Sequence, residues 1–192
     1  MLRPEYPIRT ERLTLRPFAE DDYADLHLMT GDPEVVRYLY AEVHSPDETR
    51  AALQRRIGQT ELTGEGQWLV LAMQAEPEGE PRVVGQVVLR WASAVHRQGE
   101  LGFTMSPAFQ GRGYAREAAE AMLRVGFEQF GLHRIYAACD TRNAPSWGLL
   151  TRLGMRREAH FVEDEIFKGE YGDQYIYAML DREWTKRQTS ST

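Results

Sequence analysis

The stretch Gln110-Gly111-Arg112-Gly113-Tyr114-Ala115 follows a β-rich run over residues 100–105 and then Pro107. It opens a segment in which Ala115, Ala118, Ala119, Met122, Val125, Gly126 and Phe130 recur at helical spacing. A strand that ends in a glycine loop and passes straight into a helix exposes several backbone N–H groups without partners, and the helix dipole adds partial positive charge there. Phosphate oxygens suit that arrangement. Gly111 and Gly113 put no side chain between backbone and ligand, and Gln110 and Arg112 add donors at the rim. No Gly-Lys-Ser/Thr follows, so this is not a Walker loop; the third glycine of a dinucleotide fingerprint is absent too. Taken alone, the motif does not decide the matter and reads more readily as a flexible turn before a core helix.

Outward from the loop, residues 134–140 read as a strand and residues 143–153 as a helix stopped by Gly154, with strands at 155–161 and 175–180. On the other side, residues 12–16 form a short strand, and short helices follow over 20–30 and around Val35, Val36 and Leu39. Ser45, Pro46 and Glu48 make a capping box that starts a helix running toward Leu62. Residues 68–73 and 83–91 flank a turn-forming stretch and pair as a hairpin, which residues 100–105 extend to a meander. A meander followed by strand–helix–strand units requires antiparallel and parallel pairing in one sheet, a mixed α/β fold. One domain is expected over residues 1–192, with its core at about 8–184 and a disordered tail from about Lys186.

Composition narrows the function. The formal charge of −6 argues against nucleic acid or an anionic membrane as partner and favours a cationic substrate. No signal-like or membrane-length apolar run is present, and Cys139 is the only cysteine, which points to a reducing, cytoplasmic setting. The five histidines never fall at metal-binding helical spacing, so no metal is expected. Cys139, Trp147, Leu150 and Leu153 read as core residues, and His96 and His133 as loop and helix-end residues.

The ordered features, Gln110 to Ala115, then Asn143 and Ser146, then Leu153-Gly154-Met155, resemble the GNAT superfamily of acetyl-CoA-dependent N-acetyltransferases. Further motifs are similar to its RimJ/RimL-like branch: Thr10-Glu11-Arg12-Leu13-Thr14-Leu15-Arg16-Pro17, Asp32-Pro33-Glu34-Val35, Gly172-Asp173 and the closing segment from Tyr177 to Trp184. The resemblance implies a mixed sheet of about seven strands in which two parallel strands splay apart and hold acetyl-CoA. Gln110, Gly111, Arg112, Gly113, Tyr114 and Ala115 would carry the pyrophosphate. Phe103, Thr104 and Met105 would face the thioester, and Asn143 would touch the pantetheine.

Amide formation needs a neutral amine, a stabilised oxyanion and a leaving thiolate. Glu100, at the start of the strand bordering the cleft, is the leading candidate base, although it reads equally as a solvated strand end. Asp173 is the alternative base or an anchor for the substrate ammonium. Ser146 is placed to assist the thiolate, because Leu149 and Leu150 stand where many GNAT enzymes carry a tyrosine. The acceptor expected first is a peptide N-terminus, ahead of a polyamine, amino acid or antibiotic. Its selection falls to residues 21–62 and to an acidic loop over 161–173, with Tyr38, Tyr40 and Tyr171 as aromatic candidates at an entrance. A non-catalytic acyl-CoA sensor and an unrelated phosphate-ligand protein are the competing classes, and pairing of C-terminal strands would make a homodimer.

Overall fold

The computed structural model describes residues 1–190. Eight strands form one mixed sheet: Ile8–Arg9 (β1), Thr14–Arg16 (β2), Trp68–Ala75 (β3), Arg82–Ser93 (β4), Gln98–Met105 (β5), Arg134–Asp140 (β6), Arg156–Phe167 (β7) and Glu170–Leu180 (β8). Their order is β1-β2-β3-β4-β5-β6-β8-β7. Every neighbouring pair is antiparallel except β5 and β6. The mixed α/β class is as expected, with one strand more than the seven anticipated. The extra strand, β1, spans two residues and is too short to leave a periodic signal.

Helices cover both faces. Tyr23–Thr30 (α1), Pro33–Val36 (α2) and Pro46–Gly58 (α3) precede β3; Tyr114–Arg124 (α4) joins β5 to β6, Ala144–Arg152 (α5) joins β6 to β7, and Asp181–Ser190 (α6) closes the chain. β3 explains how one strand serves two layers. Leu69, Leu71 and Met73 belong to the core shared with Met122 and Leu123 of α4. The alternating Val70 and Ala72 join Leu26 and Met29 of α1 and Leu53 of α3 on the opposite face. Each large side chain so buried contributes about 1.5–3 kcal/mol by leaving water.

The capping box forms as read: Ser45 Oγ accepts from the Glu48 N–H at 3.3 Å, and Glu48 Oε2 accepts from the Ser45 N–H at 2.8 Å. The helix it starts ends at Gly58, short of Leu62, whose backbone instead exchanges hydrogen bonds with Leu2 at 2.7 and 2.8 Å. The acidic segment expected as a loop over 161–173 is largely strand, forming the arms of the β7–β8 hairpin. As a sheet edge, β7 has solvent on most of its side chains, so it lacks the apolar alternation that marks a half-buried strand. The tail expected to be disordered from about Lys186 is helical through Ser190, because Trp184, only 3% exposed, docks α6 on the core and its Nε1 donates to Glu128. The last two positions of that expectation, 191 and 192, lie outside the described residues.

Candidate active site

The parallel pair that decides the chemistry is bonded over three positions only, Gln98 with Arg134, Gly99 with Ile135 and Glu100 with Tyr136. Beyond these, β5 stays paired with β4 as far as Met105, and β6 stays paired with β8 as far as Asp140. Each strand keeps its outer neighbour while the two part from each other, leaving a cleft of about 500 Å3 through the sheet.

Strand alternation gives the cleft two sides. Leu101 and Phe103 of β5 and Ala137 and Cys139 of β6 share one side with Asn143, Ser146 and Leu150 at α5. Glu100, Gly102 and Thr104 look to the other side with Tyr136, Ala138 and, from β4, Gln86 and Val88. Tyr38, Leu39 and Tyr40 roof that second side. A strap holds the roof: Lys168, at the tip of the β7–β8 hairpin, donates through Nζ to the Val36 carbonyl at 3.0 Å and the Ala41 carbonyl at 3.1 Å. Tyr40 meets Phe167 edge-on, with ring centres 5.0 Å apart. Tyr171, expected at the entrance, is instead 66% exposed and outside the cleft walls.

Of the residues singled out from sequence, Glu100, Phe103, Thr104, Asn143, Ser146 and Asp173 all meet in this cleft. Met105 ends β5 and packs on the core instead. Glu100 Oε2 accepts from Arg90 Nη1 at 3.1 Å and from the Tyr136 hydroxyl at 3.2 Å. Burial, then the Glu100 charge, raises the pKa of Tyr136, so its hydroxyl stays a donor at neutral pH. Asp173 is held differently: Oδ1 accepts from the Glu163 N–H at 3.0 Å and Oδ2 lies 3.0 Å from His160 Nε2. The Glu163 bond, then His160, lowers its pKa, which favours a permanent anion over a proton acceptor.

Asn143 caps α5, its Oδ1 accepting from the Ser146 N–H at 3.2 Å, and thereby fixes the backbone that carries Ser146. Cys139 lies beside it. Burial pushes the Cys139 thiol up to about 11 while a hydrogen bond with Ser146 works the other way, so it is no thiolate nucleophile at neutral pH.

The glycine loop lies beyond the C-terminal end of β5, exposed from Gln110 to Gly113. Gly113 is left-handed at φ 85°, and α4 starts from it with no side-chain cap, leaving its first-turn N–H groups for a ligand. Arg112 stacks on Phe109 at 5.4 Å. What holds the loop was not legible in the sequence. Arg12 Nη1 donates to the Arg112 carbonyl at 2.8 Å, and the Arg12 N–H and Nε donate to the Glu117 carboxylate at 2.7 and 2.8 Å. Thr10 Oγ1 donates to Glu117 Oε1 at 2.5 Å. Thr10 and Arg12 stand in a quoted motif, but nothing local names a partner more than a hundred residues away.

Burial tends to raise the pKa of Glu117, but the bonds from Thr10 and Arg12 outweigh it and the net shift is downward. A carboxylate with a depressed folded-state pKa stabilises the fold fully above its unfolded value, about 4.3, and loses that contribution as pH falls through the folded one. Glu117→Gln is therefore expected to lower Tm at pH 7, with the gap to the parent protein closing below about pH 4. Paired thermal melts across that range check it.

The chain matches the acetyltransferase (GNAT) domain model over residues 12–156, with the split parallel pair inside that span. It belongs to the GNAT acetyltransferase family. Among relatives, the uncharacterized N-acetyltransferase YnaD of Bacillus subtilis is 32% identical over 92% of this chain and 98% of its own. The crystal structure of a GNAT-family acetyltransferase from Bacillus anthracis superposes with a TM-score of 0.81 at 32% identity, covering 92% of this chain and 99% of that one. Spermidine N(1)-acetyltransferase of Vibrio cholerae is 25% identical over 92% of this chain and 97% of its own. A spermidine N-acetyltransferase from that organism, in complex with CoA and spermine, shares the fold at a TM-score of 0.76 and 23% identity, covering 92% and 99% of the two chains. This GNAT protein is accordingly an acyltransferase, an acetyl-CoA-dependent N-acetyltransferase. Among the described residues no helix is long and apolar enough to cross a membrane, and no cluster of metal-ligating side chains occurs.

Proposed function

We propose that this acetyltransferase acts on a small-molecule primary amine, with acetyl-CoA entering from the α4–α5 side of the cleft and the amine from the roofed side. The observation that carries this is the roof itself. Tyr38 to Tyr40, strapped by Lys168, close over a chamber of a size suited to small ligands. The likeness to spermidine acetyltransferases supports the same choice over the peptide N-terminus expected first, and the RimJ/RimL-like motifs then mark shared scaffold. A cytoplasmic setting suits the single free, buried Cys139.

In this reading the N-terminal turn of α4, with Gln110, Gly111, Arg112, Gly113, Tyr114 and Ala115, binds the pyrophosphate. The edge of β5 at Phe103, Thr104 and Met105 has lost β6 as a partner and offers backbone N–H groups to the thioester oxygen. Asp173 attracts the incoming ammonium, which gives up its first proton to solvent water; Glu100 takes the second as the neutral amine nitrogen bonds to the acetyl carbon, and the carbon–sulfur bond breaks to release a thiolate. That thiolate has an intrinsic pKa near ~8.5, and a hydrogen bond from Ser146 eases its departure.

Release of free CoA thiol in the presence of acetyl-CoA and a panel of small amines and N-terminal peptides tests the reading; turnover confined to peptides would refute it. Ser146→Ala is expected to lower kcat about tenfold, the worth of one hydrogen bond to a charged leaving group, with little change in KM for acetyl-CoA. Unchanged kcat in steady-state assays would move the role elsewhere.

A further inference from the structure

Gln86 lies on the acceptor side of the cleft, in register with Thr104 of β5, and its side chain is not free to turn. Its Oε1 accepts from Arg56 Nε of α3 at 2.7 Å. Arginine has donors only, so the amide oxygen must face Arg56 and the amide NH2 is left toward the cleft. Among the described residues nothing accepts from that NH2.

The charge behind it is unmatched. Arg56 is mostly buried, its other bond goes to the Ala52 carbonyl at 3.2 Å, and no carboxylate of the described residues pairs with it. Burial, then the neighbouring Arg55, pushes its pKa down to about 10, which still leaves it charged at neutral pH. A buried cation without a counter-charge is costly and gains when an anion arrives. The acids of the cleft do not fill that need. Glu100, Asp140 and Asp173 are taken by Arg90, Arg142 and His160, and Glu165, across on β7, accepts from Gln174.

We propose that Gln86, oriented and charge-backed by Arg56, is a subsite for a carboxylate of the acceptor, so that the amine acetylated is a small aminocarboxylate. The inference rests on the small-amine reading and narrows it. Glu100 and Thr104, the register partner of Gln86, are four residues apart on β5, about 13 Å. An acceptor held at both ends of that separation carries its amine and its carboxylate several bonds apart, as an ω-amino acid does.

The test compares acceptors that differ only by the carboxylate: 6-aminohexanoate against pentylamine, and lysine against cadaverine, read as kcat/KM by thiol release. The parent enzyme is expected to prefer each carboxylate-bearing member at least tenfold. Gln86→Leu and Arg56→Met should collapse that ratio toward one through KM of the aminocarboxylate, while Arg56→Lys, which keeps charge and donor, retains most of it. Pentylamine or cadaverine turned over as well as its partner would overturn the subsite and leave the small-amine reading standing, as would a ratio that none of the variants moves. Thiol release with none of the amines would sink both.

Discussion

Gly113→Val is expected to weaken CoA binding by about 10- to 100-fold, measured by calorimetric titration with CoA and with ADP as a control. Two costs combine at this position. The backbone is left-handed at φ 85°, a conformation that strains a β-branched residue by about 1–3 kcal/mol. A Cβ there would also come within 3.1 Å of Arg12 Nη2, in the guanidinium whose Nη1 holds the Arg112 carbonyl. Relief of either cost moves the N–H groups at the start of α4. Gly111→Ala separates the effects, because Gly111 is left-handed at φ 74° but a Cβ would meet nothing within 4 Å. It carries the left-handed strain without the Arg12 clash and should weaken CoA binding less than Gly113→Val does. Equal CoA affinity in Gly113→Val and the parent protein would displace the pyrophosphate from this loop.

Glu100→Gln should lower kcat by about 10²–10³ with acetyl-CoA affinity retained, the usual worth of a positioned proton acceptor. The substitution keeps a group able to accept from Arg90 and Tyr136 and removes only the basicity, so a loss of that size would belong to proton transfer rather than to folding. A kcat within threefold of the parent's would hand the task to water or to another group. Asp173 is the poorer alternative, since the Glu163 N–H and His160 hold its pKa down.

How far the sequence reached depended on how local each feature is. The Ser45–Glu48 box, the stop at Gly154 and the run from β5 through the glycine loop into α4 rest on residues within a few positions of one another, so their chemistry is legible in order. β7 was half missed because an edge strand needs no apolar alternation, and α6 because its hold comes from one tryptophan docking on a distant core.

By itself, then, the sequence determined the element types around the site, the glycines that leave the loop before α4 without side chains, and the identity of the carboxylates and hydroxyls that line the cleft. Only the tertiary structure decided which of those groups are already engaged. Arg12 reaches Glu117, Lys168 straps the roof, and Arg56 turns Gln86 across separations of 105, 127–132 and 30 residues. The physical reason is that a hydrogen bond or ion pair needs its two groups within about 3–4 Å. Over such separations that distance is set by sheet register and helix packing, which no neighbouring residue encodes.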